Sequence, residues 1–351
     1  MSRKLQLLLF LGGSAVFAYL VVRIGPGRLV ADAVQTGWMF VPILLLYAVV
    51  YACNAAAWRL IMAGEPSRPP FWRTYAITTA SFALNFLTPM VNVGGEPFRI
   101  AAVAPWLGVR RAAGSVVIYQ MLHAFGMLLS FLTALLLGTL FLPPTPAVLA
   151  TLAVAFAVLL VLTLLLFTGH RRGVLEAVLN LLHRVPVVAR LARRLEPQRA
   201  MLALMDEQIT AFYHRDPRRF FQALALEYLS RCVFMGEYLL IALSVGLHIG
   251  YWRAYVLGGL TQLAQNVVFF VPFEVGTKEG TLYLLFRLLG LDPALGVYTA
   301  IVSRLRDLVW IGVGVGLVWA AGRSSPPVPL SVPERGDVNV PPLPKGEGVR
   351  G

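Results

Sequence analysis

Two short segments of this chain place ionisable side chains and glycine within otherwise apolar sequence. The first reads TPMVNVGGEPFR (residues 88–99) and the second reads VPFEVGTKEG (residues 271–280). Each combines a proline, a glycine, a glutamate and a cation. Inside a membrane an ionisable residue costs about 2.5–3.5 kcal/mol on insertion scales, so residues of this kind are candidates for function wherever the surrounding sequence is membrane-embedded.

The chemistry that these segments predict is the binding of an anion, and of a phosphate in particular. Gly94 and Gly95 permit backbone conformations that other residues avoid, and a helix that begins after such a break points free N–H groups towards an anion. Arg99 and Lys278 would supply positive charge. The predicted substrate-binding residues are Asn92, Gly94, Gly95, Glu96, Arg99, Glu274, Gly276, Lys278, Glu279, Arg304 and Asp307.

The glutamates of the two segments have two predicted roles: they orient the neighbouring cations or they carry protons. Arg306, beside Arg304, is a further candidate cation. An alternative hypothesis is that the charges only neutralise one another. Arg304 lies three residues before Asp307, and Glu274 lies four before Lys278, which are the spacings of neighbours on a helix.

Other polar residues in apolar stretches have a structural interpretation. Glu227 and Arg231 are four residues apart and are predicted to pair with each other, whereas Glu237 has no partner near it in sequence. His123 is predicted to be a hydrogen-bonded packing residue rather than a proton relay. Both cysteines are predicted to be packing residues, because they offer no metal-ligand spacing.

The chain contains no signature of a known enzyme class. The sequence has no GxxxxGK[ST], HExxH or GxSxG motif and no cysteine pair at metal-ligand spacing. We therefore expect no catalytic residue, no metal and no cofactor, and we expect that the protein is not an enzyme.

The composition is that of an integral membrane protein. Of 351 residues, 58% are hydrophobic and 13% are charged, whereas a soluble domain carries about 25% charged residues. The formal net charge is +13. In a membrane protein an excess of Lys and Arg gathers on cytoplasmic loops, so it does not indicate nucleic acid.

Apolar runs predict an all-α, polytopic fold with about six crossing helices and two re-entrant hairpins. A crossing needs roughly 20 apolar residues. The predicted crossings are Leu5–Val22, Trp38–Trp58, Ala112–Leu142, Ala147–Phe167, Phe220–Val245 and Ala294–Ala321. Thr74–Leu87 and Ala254–Phe270 instead run into the two proline- and glycine-containing breaks, and such backbone must line protein or a water-filled cavity rather than lipid.

The distribution of basic residues predicts the orientation of this fold. With the N-terminus inside, the cytoplasmic segments hold 18 Lys and Arg and the external segments hold 3. Both termini are therefore predicted to be cytoplasmic. The first hairpin would then enter from the cytoplasm and the second from outside, as in an inverted repeat.

A constant spacing supports a possible inverted repeat. Pro89 and Pro272 are 183 residues apart, as are Glu96 and Glu279. An offset of 184 pairs Gln120 with Arg304 and His123 with Asp307. We assign residues 1–323 to one membrane domain, with a basic amphipathic cytoplasmic loop at 168–219 that suits a membrane surface or a topology anchor. Residues 324–351 are predicted to be a disordered, proline-rich cytoplasmic tail.

Three stretches resemble a known family. VNVGGEPFRIA resembles the first motif of the lysylphosphatidylglycerol synthase transmembrane (flippase-like) family, and VPFEVGTKEGTLYLLFRLLGL followed by ALGVYTAIVSRLRDLVW resembles the second. The resemblance extends over about residues 5–322. The second motif usually reads Gly-Gly-Leu-Gly-x-x-Glu, but here only Gly276 remains, and Gln120 stands where the family often has an arginine.

The resemblance implies lipid translocation by a stand-alone membrane domain without the aminoacyl-transferase domain. We expect a protein of the bacterial inner membrane that translocates or handles an anionic or modified phospholipid headgroup. Membrane lipids are the expected partners, and nucleic acid is not. Two alternatives remain: a non-transporting accessory subunit for a lipid-modifying enzyme or glycosyltransferase, and a membrane transferase with Glu96 or Glu279 as its base.

Overall fold

The computed structural model describes residues 34–87, 95–169, 216–268 and 276–324, together with Phe212 and a few single positions before residue 34. Most of the predicted span Leu5–Val22 lies outside these ranges. So do the central part of the basic loop and nearly all of the proline-rich tail. The tips of both predicted hairpins, residues 88–94 and 269–275, also lie outside the described residues.

Nine α-helices make up almost all of the described ranges, which contain no strand. The helices are α1 (Phe40–Ile61), α2 (Phe71–Leu87), α3 (Gly95–Leu107), α4 (Val109–Phe141), α5 (Pro146–Gly169), α6 (Pro217–Ser244), α7 (Tyr251–Val267), α8 (Thr277–Leu288) and α9 (Pro293–Ser324). The predicted all-α architecture is confirmed.

Within the described ranges, three helical stretches are long and apolar enough to cross a membrane: Val34–Gly64, Val109–Phe141 and Pro146–Leu164. Helices α6 and α9 contain more charge, but their 28 and 32 residues extend over about 42 and 48 Å, more than the roughly 30 Å of a hydrocarbon core. On the outer surface, Val154, Val158 and Val161 of α5 are exposed, as expected for a helix that faces lipid.

Local sequence explains where several helices begin. Asp216 caps α6 by accepting a hydrogen bond from the Arg219 backbone N–H at 3.1 Å, and Pro217 follows at the first helical position. Between α3 and α4 the chain turns at Gly108, whose φ of +75° favours glycine. The short helix α3 therefore ends as a separate unit before the long helix α4.

Helix packing follows one pattern twice. Helix α3 packs on α2 and α4, and α8 packs on α7 and α9 in the same way. The two groups of helices, α2–α4 and α7–α9, also pack on each other, because α2 packs on α9 and α7 packs on α4. Helices α1 and α6 pack against each other between them. Most of these contacts thus repeat when α1–α4 are exchanged with α6–α9, in agreement with the offset of 183–184 residues. The exception is α4, which packs closely on α6, whereas α9 makes few contacts with α1. Inversion across the membrane remains a prediction.

Candidate functional site at two broken helices

The first break is held together by Asn85 near the end of α2. Its Oδ1 accepts a hydrogen bond from the Gly95 backbone N–H at 2.6 Å, and its Nδ2 donates to Glu96 Oε1 at 3.0 Å. Gln120 of α4 donates a second hydrogen bond to Glu96 Oε1. The other carboxylate oxygen, Oε2, is buried and has no hydrogen-bond partner within the described ranges. Glu96 is therefore positioned by two amides, and one of its oxygens is left open.

Arg99, one turn further along α3, is 2% exposed and lies among aromatic rings. Its guanidinium carbon is 4.3 Å from the ring centroid of Tyr119, 5.2 Å from that of Phe82 and 5.3 Å from that of Trp58. The rings stabilise the cation through their negative faces. Nε and Nη1 are buried with no hydrogen-bond acceptor among the described residues, so Arg99 is a buried cation without a protein anion there.

The second break contains a glutamate whose charge is compensated. Gly276, with a φ of +83°, precedes α8, and its N–H donates to Glu279 Oε2 at 2.9 Å. Arg304 of α9 donates to the same carboxylate from Nε at 2.5 Å and from Nη2 at 3.2 Å. Glu279 is fully buried. Glu279 thus contacts a cation, and its role in function stays a prediction.

Beside this pair lies an ion cluster that the sequence did not predict. Arg306 is 1% exposed and donates from Nη2 to both oxygens of Glu237 at 2.8 Å. Its Nη1 lies 2.9 Å from Asp307, and its guanidinium carbon lies 3.6 Å from the centroid of Tyr47. The hypothesis that Arg304 and Asp307 neutralise each other is therefore wrong, since each binds a different partner.

Lys278, in the first turn of α8, is 6% exposed. Within the described part of the chain, no carboxylate lies within 4.0 Å of its ammonium group. Its possible partner Glu274 lies outside the described residues, as do Asn92 and Gly94, so the structure neither supports nor contradicts the predictions made for these three.

A third cluster corrects the prediction for Glu227 and Arg231. They do not pair directly, because His123 of α4 lies between them. His123 Nδ1 is 2.7 Å from Glu227 Oε2, and His123 Nε2 is 2.6 Å from Arg231 Nη2. Glu227 is fully buried. No local spacing reveals this contact, since His123 is 104 residues from Glu227.

A cavity of about 720 Å³ opens where the end of α1 meets the starts of α4 and α6. Arg110, Arg111 and Arg219 are among its lining residues. Ser115 also lines it and accepts a hydrogen bond from Trp58 Nε1 at 3.3 Å. The Trp58 side chain thus contacts both Ser115, which lines the cavity, and the buried cation Arg99.

These features define a class: an all-helical membrane protein in which two broken helices each place a glutamate at the start of a short helix. Comparison with known families assigns the chain within that class. It belongs to the family described as the lysylphosphatidylglycerol synthase TM region, which matches residues 5–316. No curated protein and no solved structure matches the chain. Family membership and apolar helices establish a membrane protein with a lipid-related role.

Proposed function

We propose that this protein translocates an anionic or modified phospholipid headgroup across the bacterial inner membrane, and that the first break is its binding site. The observation that carries the proposal is Arg99. A buried cation that has no anionic partner among the described residues favours an external anion, because an uncompensated charge in a low-dielectric site is costly. A phosphate ester has the charge and the acceptor oxygens for that role.

Glu96 extends the proposal to the rest of the headgroup. Its carboxylate is ordered by Asn85 and Gln120 but has no cationic partner within 4.0 Å in the described structure. Its open Oε2 therefore suits an ammonium group. A headgroup that carries both a phosphate and an amine satisfies Arg99 and Glu96 at once, whereas a plain anionic headgroup satisfies only Arg99.

The cavity beside Trp58 provides an entrance. The distribution of basic residues predicts that this end of the molecule is cytoplasmic. A headgroup in the inner leaflet would meet Arg110 and Arg111 first, move past Trp58 and reach Arg99, while its acyl chains remain in lipid. Arginines at the mouth of a polar cavity attract anions from the leaflet surface.

Reconstituted vesicles test this proposal. Labelled phosphatidylglycerol, an aminoacylated phosphatidylglycerol and a polyprenyl phosphate are each incorporated, and an impermeant quencher reports how much label is exposed outside. We expect the wild type to accelerate the movement of at least one lipid, and Arg99→Gln to remove the acceleration. Arg287→Gln, at an exposed arginine of α8, is the matched control and should behave as wild type.

The contrary result is equally informative. If folded wild-type protein accelerates none of the three lipids, translocation is contradicted. An accessory role beside a lipid-modifying enzyme would then be favoured. A new covalent lipid product detected by mass spectrometry would instead indicate a transferase.

A further inference from the structure

His123 lies within a hydrogen-bonded chain that connects α4 and α6. Glu227 is fully buried, and the His123 side chain is 19% exposed. Glu227 Oε1 and Arg231 Nε make no hydrogen bond within the described ranges. Each can therefore form a hydrogen bond with a proton carrier such as water. Burying a carboxylate, an imidazole and a guanidinium side by side costs folding free energy. Intramembrane ionisable groups of this kind often carry protons.

The contacts of His123 permit only one protonation state. A guanidinium can only donate hydrogen bonds, so Nε2 must accept from Arg231 and carries no proton. A neutral imidazole has one N–H, which therefore lies on Nδ1 and donates to the Glu227 carboxylate. In this arrangement the histidine is neutral and Glu227 is ionised. A proton that arrives at Nε2 removes the acceptor and forces Arg231 away, so proton binding and side-chain rearrangement occur together.

His123 is also connected to the proposed headgroup site through two aromatic rings. The Tyr119 ring stacks on the imidazole at 5.8 Å and contacts the Arg99 guanidinium at 4.3 Å, and the Phe82 ring contacts both groups as well. A positive Arg99 opposes a second positive charge on His123. A phosphate bound at Arg99 cancels this repulsion, and by linkage a protonated His123 strengthens the binding of the phosphate.

The other charged and titratable groups around this chain do not change the argument. Those that interact with His123 are Glu227 and Arg231 of α6 and Arg99 of α3. Tyr119 of α4 and Cys53 of α1 interact electrostatically with Glu227. Only Glu227 among them is a carboxylic acid, and it already accepts the hydrogen bond from the imidazole.

We propose that His123 takes up a proton together with the anionic headgroup at Arg99, which makes the protein a proton–lipid symporter. This inference rests on the proposed function. A lipid whose only charge is one negative charge moves with one proton without net charge, so for such a lipid the pH difference alone is the driving force. A headgroup that also carries an amine moves with net positive charge, so the membrane potential then contributes as well. The Glu96 carboxylate then remains free to bind an amine rather than to carry the proton.

Vesicles with an imposed pH difference test the coupling. At one proton per lipid, one pH unit sustains about a tenfold excess of labelled lipid in the leaflet that faces the alkaline side. We expect this excess for the wild type and its loss in His123→Asn. His248→Gln is the matched control, because His248 is exposed and contacts only a backbone carbonyl among the described residues.

Nitrogen NMR tests the proton site without any lipid transport. In a protein whose other four histidines (His170, His183, His214 and His248) are replaced by glutamine, we expect the ¹⁵N shifts of His123 at neutral pH to show the Nδ1–H tautomer. Arg231→Met removes the donor that keeps a proton off Nε2, while Glu227 still favours the proton on Nδ1, so we expect the doubly protonated imidazolium to appear in this variant beside the Nδ1–H tautomer. An Nε2–H tautomer in the otherwise wild-type site would overturn the inference.

The proton symport and the proposed lipid translocation can be contradicted separately. Lipid that moves but stays equally distributed across a pH gradient overturns the symport and leaves the proposed translocation intact. Lipid that does not move at all overturns both.

Discussion

The two broken helices occupy equivalent places in the repeat, yet they balance the charge of their glutamates differently. At the second break Glu279 binds Arg304, whereas at the first break Glu96 binds Gln120, the residue at the equivalent position. Among the described residues, the second carboxylate is thus compensated by a cation, and the first is only oriented by amides. This difference supports the proposal that the first break binds the ligand.

The cations show the same divergence. Arg99 corresponds to Leu282 under the 183-residue offset, and Lys278 corresponds to Gly95. Arg99 lies among aromatic rings, while the charges around the second break form a network that includes Arg306, Glu237 and Asp307. This difference supports the proposal that the second half of the repeat is a charged scaffold (the scaffold half) and that the first half binds the ligand (the binding half).

The largest expected effect comes from breaking the scaffold half. Glu237→Ala leaves Arg306 buried without its bidentate partner, and loss of one member of a buried pair typically costs about 3–5 kcal/mol. We expect the free energy of unfolding to fall by this amount, as measured by denaturation in detergent. Glu65→Gln removes only the exposed pair with Arg111 and should cost less than about 1 kcal/mol. Equal losses in the two variants would contradict the distinction between scaffold and binding half.

The next effect concerns the glycines of the two breaks. A Cβ at Gly95 would lie 2.4 Å from the Ser81 carbonyl oxygen, whereas a Cβ at Gly280 meets nothing within 4 Å. Gly95→Ala should therefore lower the unfolding free energy by about 1–3 kcal/mol through overpacking. Gly280→Ala should raise it by up to about 1 kcal/mol, because alanine is the better helix former. Thermal unfolding of the two variants side by side measures the contrast, and a destabilised Gly280→Ala would refute it.

A smaller effect should follow from making the first break resemble the second. In Gln120→Arg the new guanidinium pairs with Glu96, as Arg304 pairs with Glu279. A hydrogen bond to a charged group contributes about 1.5–3 kcal/mol, so an amine-bearing headgroup should lose at least about tenfold of its preference over a plain anionic one. Competition between aminoacylated and unmodified phosphatidylglycerol in the vesicle assay measures this preference. Gln120→Asn, which keeps an amide, is the control. An unchanged preference in Gln120→Arg would show that Glu96 does not bind the amine.

Sequence alone predicted the helices and the equivalence of the breaks because both depend on local pattern. Apolar run length located α1, α4 and α5 to within three residues, and the constant offset paired Gln120 with Arg304 before their contacts with the glutamates were known.

The remaining contacts depend on how helices pack, so local pattern could not reveal them. Glu237 and Arg306 are 69 residues apart, and nothing in either segment indicates the other. Asn85, a polar residue near the end of an apolar run and ten residues before Gly95, was the one missed site residue with a visible signal.

The smallest predicted effect lies at the entrance of the cavity. Arg111 is 59% exposed and pairs with Glu65 at 3.0 Å, so it contributes through attraction at the mouth of the cavity rather than through a buried contact. Arg111→Gln should slow headgroup movement by at most about fivefold, the equivalent of 1 kcal/mol for an exposed charge. The difference from wild type should shrink as salt is raised, since exposed charges are screened. Arg253 lies beside Phe141 at the other end of α4, so Arg253→Gln should leave the rate of headgroup movement from the inner leaflet unchanged. If Arg111→Gln instead slows headgroup movement equally at all salt concentrations, this arginine belongs to the binding site itself, and the binding half extends outward to the cavity.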